Sequence, residues 1–202
     1  MFKSFTAAAL VVAAVSMPAF AQPQVGAAAP DFRAKTASGE SVKLSDYRGK
    51  TVVLEWTNKG CPFVQKHYKS GNMQNLQQQA EADGVVWLTV NSSAPGKQGY
   101  VDGEAANAEM KEYKTSPTAY LLDPKGTIGR GYGATATPHM YVIDKEGVLQ
   151  YMGAIDDIPT AKIEDVKGAQ NYVSGALAAL AAGKSPDPAA TRSYGCSVKY
   201  PG

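Results

Sequence analysis

The sequence predicts an α/β fold, a central mixed β-sheet flanked by helices, with an N-terminal β-hairpin before it and a C-terminal helix plus tail after it. Three observations carry this. Short apolar runs at 52–56, 85–90 and 119–122 read as buried strands, and segments with helical spacing separate them. Such alternation lays strands parallel with helices packed on the faces. A late hairpin, 139–144 and 148–152 around Lys145-Glu146-Gly147, adds antiparallel strands and makes the sheet mixed.

The elements follow in order. Residues 1–21 read as a secretory signal: Lys3 is the charged start, 7–15 the apolar middle, and Ala19-Phe20-Ala21 a small-x-small site with cleavage after Ala21. The apolar run is too short to span a bilayer, and no later stretch is apolar enough. The expectation is therefore a soluble, exported, periplasmic protein. Loss of Lys3 with the signal takes the formal net charge from +2 to +1, which leaves no electrostatic footprint for nucleic acid. Residues 22–182 form one domain with a core large enough not to depend on disulfide staples, and 183–202 a tail.

Segments 31–35 and 41–44 flank Ala37-Ser38-Gly39-Glu40 as a hairpin, and 45–49 form one helical turn. A helix from Pro62 to about Lys69 breaks at Ser70-Gly71-Asn72 and resumes over 73–82, with Met73, Leu76 and Ala80 on one face. Residues 91–99 are a polar loop, 104–113 a helix, and 127–132 a short helical piece. The last helix runs over 169–182, its inner stripe being Tyr172, Val173, Ala176, Leu177 and Leu180. The tail opens with Gly183-Lys184-Ser185-Pro186-Asp187-Pro188 and reads as extended and mobile.

Chemistry concentrates where the strand 52–56 ends and Asn58-Lys59-Gly60 turns into a helix. Cys61 stands there, just ahead of Pro62, a residue suited to the first helical position because it lacks an N–H. Free N–H groups and the positive end of the helix dipole favour a thiolate at such a place, and Lys59 adds a positive charge. Burial as a small apolar residue is the bland alternative. The second cysteine, Cys196, lies 135 positions away. A permanent bridge and a bond that forms and breaks both remain open. Reach is no obstacle: the chain from Gly183 to Cys196 extends ~40 Å, against a radius of gyration of ~16 Å for such a domain.

Together, Cys61 at a helix start and Thr137-Pro138 directly before a strand resemble the thioredoxin superfamily. From about residue 25 to 157 the chain resembles its redoxin branch, the alkyl hydroperoxide reductase/thiol-specific antioxidant proteins and their periplasmic thioredoxin-like relatives. Gly60-Cys61-Pro62-Phe63-Val64 and the Gly195-Cys196 tail are similar to exported peroxiredoxin-like proteins. The resemblance implies a thioredoxin-like fold and, as the leading expectation, reduction of a peroxide, with exchange on protein disulfides as the alternative and electrons from a membrane-bound or periplasmic thiol reductase. It implies no cofactor. It makes Cys61 the nucleophile, Cys196 the candidate resolving thiol, Glu55 a buried acid that moves protons, Thr57 a further candidate catalytic residue, and Gly60, Pro62, Thr137 and Pro138 the substrate-binding loops. Pro138 should follow a cis bond, leaving the Thr137 backbone free to pair with an extended peptide.

The departures are specific. Val64 stands where thioredoxins have their second cysteine. Asn58 and Leu54 stand where peroxiredoxins keep a Thr or Ser and a Pro, with Thr57 one step off, and the matching region Thr137-Pro138-His139 has no Arg; Arg130 is the nearest. His139 follows the Thr-Pro pair and is expected to approach Cys61, whereas His67 and Tyr68 are surface or packing residues. One Cys and one His make a poor zinc site, so no metal is expected. A binding module that turns nothing over is the alternative from another class.

Overall fold

In the computed structural model, which describes residues 22–202, the first pairing is the hairpin of Arg33–Thr36 (β1) with Ser41–Lys43 (β2). The signal expected over 1–21 lies outside the described residues. A 3-10 turn, Leu44–Tyr47, follows, its Asp46 carboxylate accepting from the Lys43 N–H at 2.8 Å. Val52–Trp56 (β3) is buried at every position, as a strand with both faces covered must be. Pro62–Lys69 (α1) and Asn72–Ala82 (α2) then lead to Val86–Asn91 (β4), also buried throughout.

Gly103–Tyr113 (α3) starts where the Asp102 carboxylate accepts from the Ala105 N–H, satisfying one of the unpaired donors of a helix start. Ala119–Leu122 (β5), Thr127–Gly131 (α4), the two-residue Ala136–Thr137 (β6), His139–Ile143 (β7) and Leu149–Gly153 (β8) complete the body. Beyond them come a 3-10 stretch, Ile163–Gly168, then Tyr172–Ala181 (α5) and Cys196–Ser197 (β9).

Strand order in the seven-stranded sheet is β2-β1-β5-β4-β3-β7-β8. The β5-β4-β3 centre is parallel and the flanks antiparallel, so the mixed α/β architecture is as expected. Because strand side chains alternate, β3 feeds two cores. Val52, Leu54 and Trp56 join Tyr132 and Tyr141 on one face. Val53 joins Cys61, Val64, Met73, Trp87 and the inner side of α5 on the other.

Two expectations change. The last helix begins at Tyr172 rather than at 169, because the Asn171 side chain accepts from the Ser174 N–H and caps it there. The tail is packed against the body over much of its length. Its backbone pairs with β8 (Met152 N–H to Ala189 O, Thr191 N–H to Met152 O), and beyond Cys196 it pairs with residues 94 and 135 (Ala94 N–H to Lys199 O, Val198 N–H to Thr135 O). Its Pro and Gly content signalled a chain without helix or strand propensity, and that says nothing of whether a groove exists to hold it.

Candidate functional site

Local structure first puts Cys61 at the end of α1. It is the residue that caps this helix, with extended backbone (φ −86°, ψ 122°), and Pro62 takes the first helical position. Asn58, fully buried, builds the turn before it. The Asn58 carbonyl accepts from the Cys61 N–H at 2.9 Å, its side-chain oxygen accepts from the Gly60 N–H, and its amide donates to Gln98. A Cβ on Gly60 would lie 1.9 Å from the end of the Gln98 side chain, so a larger residue there would displace Gln98 from Asn58. Sequence reasoning noted Asn58 as a departure from a pattern and missed this role. Its signal was an amide placed two residues before a glycine, a common turn device.

Tertiary structure then brings three segments onto the sulfur. Thr137–Pro138 is a cis peptide, and Thr137 O accepts from Cys61 Sγ at 3.1 Å. β9 pairs antiparallel with β6, with Thr137 opposite Cys196. The Cys196 N–H donates to Cys61 Sγ at 3.4 Å. The two cysteines meet as free thiols within one chain.

This geometry corrects the picture of an open nucleophile and a free Thr137 edge. Cys61 is 0% exposed, and the strand carrying Cys196 occupies the backbone edge where an incoming peptide would lie. Gly195 lets it come so close: its φ is +124°, and a Cβ would fall 2.0 Å from Thr137 O. Burial, followed by the hydrogen bond and charge of Cys61, pushes the Cys196 thiol up to about 12.

The remaining predicted residues are placed as follows. Glu55 is buried on the Cys61 side of the sheet, and desolvation raises its pKa against the pull of its hydrogen bonds. Tyr68 OH (2.6 Å), Trp87 Nε1 (2.8 Å), Thr89 Oγ1 (3.1 Å) and Gln77 Nε2 (3.5 Å) donate to it, and neither cysteine does. Thr57 is buried with no partner for its hydroxyl. Pro62 lies exposed at the helix start.

Lys59 turns away to Glu112 and the Tyr113 ring, so its charge serves α3 and not the thiol. His139 stacks on Tyr141, on the face opposite Cys61, because it shares that residue's parity along β7. Burial lowers its pKa to about 4. Arg130 is bound to the end of the tail, donating to Pro201 O and lying over the Tyr200 ring. Among the described residues no Arg or Lys donates to either sulfur, and no cluster of three His, Cys, Asp or Glu could hold a metal.

Sequence reasoning left His67 as a surface or packing residue and did not single out Lys66. Both are fully buried, and they meet Asp156 and Tyr194 beside the site. The available signal was that Lys66 and His67 lie three and four residues after Phe63, on one side of the helix.

Residues 25–152 match the AhpC/TSA family. Among curated relatives, the thioredoxin-like protein YneN of Bacillus subtilis is 34% identical over 63% of this chain and 69% of its own. The thiol-disulfide oxidoreductase ResA of Geobacillus thermodenitrificans is 28% identical over 62% of this chain and 67% of its own, and the peroxiredoxin Bcp of B. subtilis 27% over 64% and 73%. A solved structure, the hypothetical protein SMc02350 of Sinorhizobium meliloti, superposes with a TM-score of 0.74 at 23% identity. It covers 90% of this chain and 97% of its own, so the likeness in fold runs past residue 152 toward the tail.

Proposed function

From the premise that this chain belongs to the AhpC/TSA family and is, like its relatives, an oxidoreductase, we propose that Cys61 and Cys196 form one intrachain redox couple that reduces disulfides. The observation that supports this best is the pairing of Cys196 with Thr137 while its N–H reaches Cys61 Sγ. A cysteine on an extended strand, held on that edge over the nucleophile, has the posture of a mixed-disulfide partner.

With the tail displaced, the Cys61 thiolate attacks a substrate disulfide, forming a mixed disulfide and releasing one thiolate, which takes up a proton. Cys196 then attacks Cys61 Sγ, breaking the mixed disulfide, and its proton passes to the departing sulfur, so that the second substrate thiol is released. The substrate gains two electrons, and the protein is left with a Cys61–Cys196 disulfide. An external thiol reductase returns it to the dithiol. We place this cycle outside the cytoplasm, on the export pattern of residues 1–21. Glu55 is the internal acid of this reading and Thr137-Pro138 the substrate edge, flanked by Gly60 and Pro62.

A second reading, peroxide reduction, is favoured by the remote resolving cysteine and by the peroxiredoxins among the relatives. There Cys61 would become a sulfenic acid and condense with Cys196, releasing water. It ranks second because donors aimed at the leaving oxygen supply much of such acceleration, and among the described residues the only donor on Cys61 Sγ is the Cys196 N–H.

Intact mass decides between the two. A model aromatic disulfide should remove both thiols of the native protein and leave a persistent adduct on Cys61 in Cys196→Ser. Absence of any Cys61 adduct would sink disulfide exchange. Prompt loss of two thiols to equimolar peroxide, with indifference to the disulfide, would establish the peroxidase instead.

A further inference from the structure

Lys66 and His67 carry a buried cluster that the redox cycle does not use, and its last member comes from the tail. Lys66 Nζ is 3.2 Å from Asp156 Oδ2 and donates to Ile158 O at 2.8 Å. The other Asp156 oxygen accepts from the Ile158 N–H at 3.1 Å and from the Tyr194 hydroxyl. That hydroxyl also lies 3.2 Å from His67 Nε2, while Asn72 Nδ2 lies 2.9 Å from His67 Nδ1. The Tyr194 ring packs edge-on against the half-buried Phe63 of α1 at 5.8 Å, and Lys66 Nζ lies 5.7 Å from it.

One residue, Gly195, separates Tyr194 from Cys196. Burying an ion pair costs desolvation that its own attraction barely repays, so such a pair is weak evidence for stability and better evidence for specificity. Here three of the four side chains belong to the folded body, and the fourth belongs to the strand that must leave before Cys61 can meet a substrate. Charge-assisted hydrogen bonds to a buried carboxylate are strong and directional, which suits a contact that must re-form in one register.

We propose that Tyr194 is a positioning residue: its hydroxyl, seated on Asp156 and His67, latches the tail so that Cys61 is closed to outside reagents and Cys196 returns to it in register. This rests on the redox couple proposed above for its second half only. Release of the latch opens the nucleophile; its closure places Cys196 against the mixed disulfide, where the second exchange takes place.

Tyr194→Phe in the full chain removes the hydroxyl and keeps the ring on Phe63. Loss of one or two charge-assisted hydrogen bonds predicts that iodoacetamide labels Cys61, mapped by peptide mass, about tenfold faster. It also predicts that, after attack on a model aromatic disulfide, release of the second probe thiol slows about tenfold. A variant that is merely looser would show the first change without the second.

Unchanged rates in both arms overturn the latch, and faster labelling with unchanged second release overturns the positioning role. Native protein that labels slowly but never releases a second thiol would overturn the couple, and the labelling arm would still read the latch. Should Tyr194→Phe fail to fold, Gly195→Ala serves: its Cβ would meet Thr137 O and lift the same strand without touching the socket. The same pair of rate changes is expected from it, and their absence overturns the proposal.

Discussion

Three consecutive residues of α1 point into two buried polar clusters of opposite design. Tyr68 joins Trp87, Thr89 and Gln77 around the Glu55 carboxylate, and every partner there belongs to the sheet and the helices packed on it. Lys66 and His67 join Asp156, but they share it with Tyr194 of the tail. The first cluster cannot open without unfolding the core. The second can lose a member while the core stays intact. The Glu55 cluster is buried throughout, whereas Tyr194 is half-buried, so the two differ both in burial and in which segment supplies the last partner.

Breaking the closed cluster should have the largest effect. Glu55→Ala strands buried donors from four side chains at once, and the expected loss of stability is about 3–5 kcal/mol, read as a lower urea midpoint. A loss within experimental error would show that water enters this cluster and that it is not closed.

Acid sharpens the contrast next. Burial, with help from Lys66 and against the pull of Asp156, lowers the His67 pKa to about 4. An unfolded histidine binds a proton near ~6.5, so the unfolded chain takes up more protons between these values. Stability is then full above about 6.5 and falls as pH drops toward 4, by up to about 3 kcal/mol from this residue. His67→Gln should flatten that part of the urea-midpoint profile. An unchanged slope would locate the acid sensitivity elsewhere, for example in His139.

The smallest effect belongs to Glu109, which lies near the closed cluster but outside it. Burial, against the pull of Lys59 and with help from Glu55 and Glu112, raises its pKa to about 7, and one of its oxygens has no partner. The folded state here binds the extra proton, so stability is full below about 4.5 and falls as pH rises through 7. Glu109→Gln should stabilise the protein at pH 8 by about 2 kcal/mol, the linkage value less the amide's own unpaired cost. No gain in thermal midpoint at that pH would show the carboxylate to be solvated.

Much of the fold was legible along the chain. The strand 52–56, the helix Pro62–Lys69 and the strand 119–122 coincide with β3, α1 and β5 because each is marked by local chemistry: an apolar run, a proline at a helix start, a polar break. Of the site, the placement of Cys61 at a helix start was legible for the same reason. The covering of its sulfur was not. It depends on β9, two residues long and paired only with the two residues of β6, and no local pattern announces so short a ladder. The roles of Lys66 and Tyr194 were hidden likewise, since 128 positions separate them and neither carries a motif.

By itself, then, the sequence determined the order of strands and helices, the cysteine at the turn, and the resemblance that made redox chemistry the leading expectation. Those follow from interactions between near neighbours, where periodicity, capping and turn chemistry leave their mark. Only the tertiary structure decided that Cys61 is shut in by the strand that carries Cys196, that His139 faces away from it and Lys59 turns aside, and that a tyrosine near the chain's end rests in a buried ionic socket. Contacts between distant segments are selected by burial and hydrogen-bond satisfaction in the assembled core, and a single sequence carries no separate sign of them.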